Sequence, residues 1–234
     1  MILGNIKIEL IKKNIKNVHL SVLPPHGAVR IAAPLHLSEE TIRLYAISKL
    51  SWIKRQQKKI LDQARESKRE FINKETHYFQ GRKYLLRVFE VNEPARVVLN
   101  KKYLDLYVRP NTTTPQRQHL LHQWYRNEIK ELIKGYINKW EQVIPVKVRD
   151  FGIKRMKTKW GTCNIEAKRV WVNLELAKKP LQCLEYIVVH EMVHLLERKH
   201  NDRFMAYLNK FMPGWRTYRE ELNRLPISNL DWEY

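Results

Sequence analysis

The first third of the chain alternates apolar and polar residues in short runs. Lys7 and Glu9 separate Ile6, Ile8 and Leu10, and His19 and Ser21 separate Val18, Leu20 and Val22. A strand turns successive side chains to opposite faces, so these runs predict half-buried strands. Val29, Ile31 and Ala33 repeat the pattern after a Pro24-Pro25-His26-Gly27 turn, and the set reads as hairpin strands. The period then lengthens. Ser38 suits a helix cap, Glu39 and Glu40 suit its first turn, and Ile42, Tyr45, Leu50, Ile53 and Ile60 form a core stripe at helical spacing. Two further strands are predicted at positions 84–88 and 103–108.

The second half has a different rhythm. After a polar stretch at positions 111–115, Leu120, Leu121, Trp124, Ile129, Leu132, Ile133, Tyr136, Ile137 and Trp140 describe one long amphipathic helix over positions 116–143. Val170, Val172, Leu174 and Leu176 then alternate with Trp171, Asn173 and Glu175, which predicts a strand, either a free edge or an interior member of a small sheet. Pro180 opens a helix striped by Leu181, Leu184, Ile187, Val188, Leu195 and Leu196. Asn201-Asp202 caps another, carrying Phe204, Met205, Tyr207, Leu208 and Phe211 and stopped by Met212-Pro213-Gly214. The expected class is α+β. A β-rich amino-terminal region with a helix, residues 1–112, precedes a core of long helix, small sheet and further helices, residues 113–234.

The buried helix ends in chemistry. His190-Glu191-Met192-Val193-His194 places two imidazoles four residues apart, on one helical face, where both can bind a single ion. Glu191 flanks them as a general base, and His200, in the turn between two helices, is the third ligand. Three protein ligands leave a fourth position for water, as in catalytic zinc sites, whereas structural sites usually carry four ligands rich in cysteine. In the longer protease motif H-E-x-x-H-x-x-G-x-x-H a glycine turns the chain; here that position is Glu197, so the metzincin pattern is excluded.

The surrounding residues carry a resemblance. The run from Arg155 through Trp160-Gly161-Thr162-Cys163-Asn164, the predicted strand and the helix ending His190-Glu191-Met192-Val193-His194-Leu195 resemble the YgjP-like metal-dependent hydrolases, minigluzincin-like relatives of the SprT peptidases. Trp52-Ile53 and the Phe79-Gln80-Gly81 turn extend the resemblance over nearly the whole chain. It implies a minimal zincin-like core, His190, His194 and His200 as metal ligands, and Glu191 as catalytic base. The family usually writes Trp-Gly-Ser-Cys where this chain has Thr162 in third place, which keeps the hydroxyl.

Charge widens the range of partners. The 234 residues hold 44 Lys plus Arg against 24 acids, a net +20 that attracts polyanions at low salt. The basic residues are spread along the chain, so a solvated coat and a binding groove both stand. Lys157 and Lys159 are the basic residues the resemblance places beside the site. The first residues soon become charged, no run approaches the length of a membrane span, and there are only two cysteines, Cys163 and Cys183. Reduced thiols in a cytoplasmic protein are expected, Cys163 serving packing or transient coordination.

The functional expectation is a zinc-dependent metallopeptidase acting on peptide or unfolded protein. If the predicted strand has a free edge, an extended peptide can pair with it. Candidates for stabilising the oxyanion are Tyr207, Lys157, Lys159 and the Gly161 amide. Two alternatives stand beside it: a metal-dependent nucleotide pyrophosphatase of the UTP-hydrolysing type, and a nucleic-acid-associated SprT-like protease. No zinc finger or helix-turn-helix pattern favours the last.

Overall fold

The computed structural model describes residues 1–23, 26–62, 69–156 and 159–224. The expected Pro24-Pro25 turn and Lys157 lie outside them. The described residues fall into two compact units, positions 1–62 and positions 69–224. The sequence-based boundary at 112/113 falls inside the second unit, because strands at positions 76–108 share a core with the long helix that follows. Alternating strands look alike in sequence whichever body they join.

In the first unit, β1 (Ile2–Leu3), β2 (Ile6–Lys13), β3 (His19–Leu23) and β4 (Ala28–Pro34) form a sheet ordered β1-β2-β4-β3. β1 and β2 make one short hairpin and β3 and β4 another; β2 runs parallel to β4 and does not pair with β3, so the expected run of hairpins is corrected at that step. Two helices follow, α1 (Glu39–Ser48) and α2 (Leu50–Asp62). The Ser38 hydroxyl accepts from the Thr41 amide at 3.1 Å, which is the anticipated cap. The single helix expected there breaks at Lys49, whose amide turns back to the Ala46 carbonyl. Ile42, Ala46 and Ile53 still meet Ile8, Val29 and Ile31 in one small core.

The second unit begins with β5 (Thr76–Phe79), β6 (Arg82–Glu90), β7 (Arg96–Leu99) and β8 (Tyr103–Val108), ordered β5-β6-β8-β7. Gln80 and Gly81, at φ 49° and 79°, make a two-residue turn with the twist a tight hairpin needs. Their amides donate to the Ala177 and Lys178 carbonyls, and a Cβ on Gly81 would lie 2.8 Å from the Pro180 ring. This turn therefore braces the start of the histidine-bearing helix.

Helix α3 (Thr114–Trp140) opens on a Thr113/Gln116 capping box and buries Leu121, Tyr125, Ile129, Ile133 and Ile137. The predicted stripe is right in phase, and it misses Tyr125, whose hydroxyl donates to the Tyr78 carbonyl at 2.8 Å. Next come β9 (Asp150–Lys154), β10 (Gly161–Asn164) and β11 (Arg169–Asn173), a sheet ordered β10-β11-β9. The alternation expected to continue to Leu176 stops at Asn173, where a 3-10 turn (Leu174–Lys178) begins. Asn173 causes the change: its Oδ1 accepts from the Glu175 amide, and its Nδ2 donates to the Met156 and Lys159 carbonyls. Helices α4 (Leu181–Val193), α5 (Asp202–Phe211) and α6 (Trp215–Arg224) complete the unit. The α+β class holds. Among the described residues no helix is long and apolar enough to cross a membrane.

Candidate metal centre

Helix α4 is buried on nearly every side, from Cys183 through Val193. That burial fixes its rotation, so the faces of His190 and Glu191 are set by the packing of Leu184, Val188, Val189 and Met192. His194 is the helix C-cap, and His200 lies in the turn before α5. The Asn201 side chain caps α5 by accepting from the Phe204 amide at 3.0 Å. Phe204 is thereby set beneath the three imidazoles, its ring 4.6 to 4.9 Å from each of theirs. The sequence signals for the cap and the apolar stripe thus converge on one seat.

The three rings converge. Their centroids are 4.7 to 5.0 Å apart, and each offers a nitrogen within 4.8 Å of the others. The Nε2 atoms of His190 and His200 are 3.0 Å apart; two nitrogens on one tetrahedral zinc stand about 3.3 Å apart, so the pair fits an ion. His194 Nδ1 lies 3.1 Å from the Glu197 carbonyl, a partner that fixes the ring and leaves Nε2 for a metal. Glu197 occupies the glycine position of the longer protease motif, and here its backbone oxygen does the orienting. His190 Nδ1 is buried without a hydrogen-bond partner among the described residues. Burial, with His194 and His200 close by, pulls the His190 pKa down to about 3, and burial lowers that of His194. Neutral imidazoles keep the lone pairs that a metal requires. The residues fit a metal.

Glu191 is 5 % exposed and lies against Gly161 of β10. A Cβ at Gly161 would sit 2.6 Å from Glu191 Oε1 and 2.7 Å from its Cγ, so only glycine admits the carboxylate there. Desolvation raises the Glu191 pKa to about 8, against the opposing pull of Lys159. Burial and the same carboxylate push the Cys163 thiol up to about 12, so at neutral pH it is a protonated packing residue. Cys183 is buried on α4 and also free.

The histidines and Glu191 line a cleft of about 740 Å³, together with Lys159, Gly161, Cys163, Tyr186, Arg198 and Arg219. Of the two readings of the strand at positions 170–176, the interior one holds: β11 lies between β9 and β10. The edge on the cleft belongs to β10, whose four residues Gly161, Thr162, Cys163 and Asn164 all line it. Of the oxyanion candidates, Lys159 and Gly161 line the cleft. Tyr207 does not; its hydroxyl accepts from Arg203 at 3.2 Å. Sequence reasoning missed Tyr186, which precedes His190 by one helical turn and therefore shares its face; its ring lies 5.8 Å from that of His190. It also missed Arg198 and Arg219, which sequence does not distinguish from other surface arginines.

The family profile described as "YgjP-like, metallopeptidase domain" matches residues 16–225. The chain belongs to the YgjP-like metallopeptidase family. That match begins after β2, so it takes in β3, β4 and the two helices that follow them as well as the histidine cluster. No curated protein matches the chain.

Proposed function

We propose that this YgjP-like chain is a zinc-dependent peptidase, with His190, His194 and His200 as the metal ligands and Glu191 as the general base. The observation that carries this reading is the junction of three converging imidazoles with a buried carboxylate beside a free strand edge in one cleft. Three nitrogen ligands without thiolate suit zinc in an open, catalytic site. Zinc held there supplies Lewis acidity toward a water and a substrate carbonyl.

The chain's own groups do the rest. The β10 edge offers backbone donors and acceptors to an extended peptide, which holds the scissile bond over the histidines with little sequence preference. Glu191 takes the proton of the attacking water and returns it to the leaving amine. Its burial against Gly161 and the wall of the cleft excludes bulk water, which strengthens that exchange.

A second reading, hydrolysis of a nucleotide phosphoanhydride, is favoured by Lys159, Arg198 and Arg219 on the cleft, three cations suited to phosphate. One experiment separates them: zinc-restored turnover of an unfolded protein and of nucleoside triphosphates by the wild type and by Glu191→Gln. The peptidase reading predicts cleavage of the protein, lost in the variant with zinc retained. Cleavage of nucleotides alone transfers the site to phosphoanhydride chemistry, and protein cleavage that survives Glu191→Gln removes the general-base role.

A further inference from the structure

Among the described residues, the sheet β5-β6-β8-β7 has one covered face and one bare face. Leu86, Leu104, Leu106 and Val108 point into the core shared with α3. Strand register places Leu85, Arg87 and Phe89 of β6 beside Tyr103, Asp105 and Tyr107 of β8, with Arg96 and Val98 of β7 on the far side. These alternate with the core residues, so they share the opposite face. Leu85 is 42 % exposed and Phe89 and Val98 are each 37 % exposed. A solvated sheet face is ordinarily polar; this one presents rings and aliphatic groups to water.

Its charged groups are arranged as flat layers. The Arg87 guanidinium lies 4.0 Å over the Tyr103 ring and 5.5 Å from that of Phe89, and Arg96 lies 4.2 Å over Tyr107. Phe89 and Tyr107 stack at 5.1 Å with 20° between their planes. Asp105, 2 % exposed, receives two 2.7 Å hydrogen bonds from Arg87 and another from the Asn100 amide. Asp105 is thus buried and spent on holding a guanidinium flat, while the exposed Glu93 pairs with Arg96 from the margin. Six cations (Arg82, Lys83, Arg87, Arg96, Lys101, Lys102) stand against three acids (Glu90, Glu93, Asp105) over positions 82–107.

Rings and guanidinium planes with lysines at the margin match a ligand that has exposed π faces joined by negative charges. Unpaired bases on a phosphate backbone have that chemistry. A duplex hides its base faces and is read by an element that enters a groove, which a flat sheet does not supply. We propose that this face binds single-stranded nucleic acid, with bases stacking on Phe89, Tyr107 and the Arg87 guanidinium and phosphates held by Arg96, Lys101 and Lys102. The face is independent of the histidine cluster.

The test is fluorescence anisotropy of a labelled oligothymidylate, about 12 nucleotides long to span such a platform, titrated with the full-length protein at low and moderate salt. Binding that weakens with salt is expected, with Phe89→Ala and the volume-conserving Tyr107→Leu each about tenfold weaker. Lys134→Ala, an exposed position on α3, should leave it unchanged. Thermal melts of the variants check that they fold. No binding at low salt, a duplex or polyglutamate bound as tightly as the single strand, or undiminished affinity in folded Phe89→Ala and Tyr107→Leu would each overturn the proposal.

Discussion

At Gly161 the missing side chain is what admits the Glu191 carboxylate, whereas the sequence marks that residue as part of a Trp-Gly-Thr-Cys run and for its amide, not for its missing side chain. The convergence of the three histidines was legible because their spacing is one that metal ligands use. The glycine's partner was not, since it lies thirty positions away in sequence and meets Gly161 only through the fold. Gly161→Ala is expected to displace Glu191 and lower turnover about 10²-fold while zinc affinity stays near that of the wild type. Wild-type turnover in that variant would show that the contact does not position the base. A second residue-scale expectation concerns His77, 4 % exposed, with a pKa that burial and the charge of Arg69 lower to about 3. The unfolded chain binds its proton near pH 6.5, so between about pH 6.5 and 3 the unfolded state carries more protons and stability falls as pH falls. His77 alone should cost about 2 kcal/mol on going from pH 7 to 5. Urea midpoints at the two pH values check this: His77→Leu should lose less stability on acidification than the wild type, and an equal loss would contradict it.

Among the elements, periodicity revealed the long helix, the α4 stripe and the caps at Ser38 and Asn201, because each depends on neighbours within one or two turns. It misjudged the strand after Arg169, whose apolar alternation runs on into a 3-10 turn that Asn173 imposes through bonds to Met156, Lys159 and Glu175. It also could not decide which strand carries the free edge, since the order β10-β11-β9 is a long-range property. Asn173→Ala leaves several buried backbone groups unpaired and should cost about 2–3 kcal/mol, read as a Tm lowered by several degrees. An unchanged Tm would show that water replaces the side chain without loss.

Across the chain as a whole, the α+β class was legible from the change of rhythm, whereas the division into units was not. A boundary drawn where strands give way to a helix missed that β5 to β8 share a core with α3. The net charge of +20 likewise left polyanion binding as an expectation without a place, and the bare sheet face of the second unit is the place proposed for it. If zinc binds the folded second unit and not the unfolded chain, removing it should lower that unit's melting temperature, and restoring it should reverse the loss. Matching melts of chelated and zinc-loaded protein would mean that the site adds no folding energy.

The metal centre itself is tested by the equilibrium zinc affinity of the wild type and of His200→Ala, measured by competition with a chromophoric chelator. Three histidine ligands predict about one zinc per wild-type chain and an affinity at least about tenfold weaker in the variant. A wild type that fails to bind zinc, or a variant that binds it equally well, would contradict a metal centre built from His190, His194 and His200.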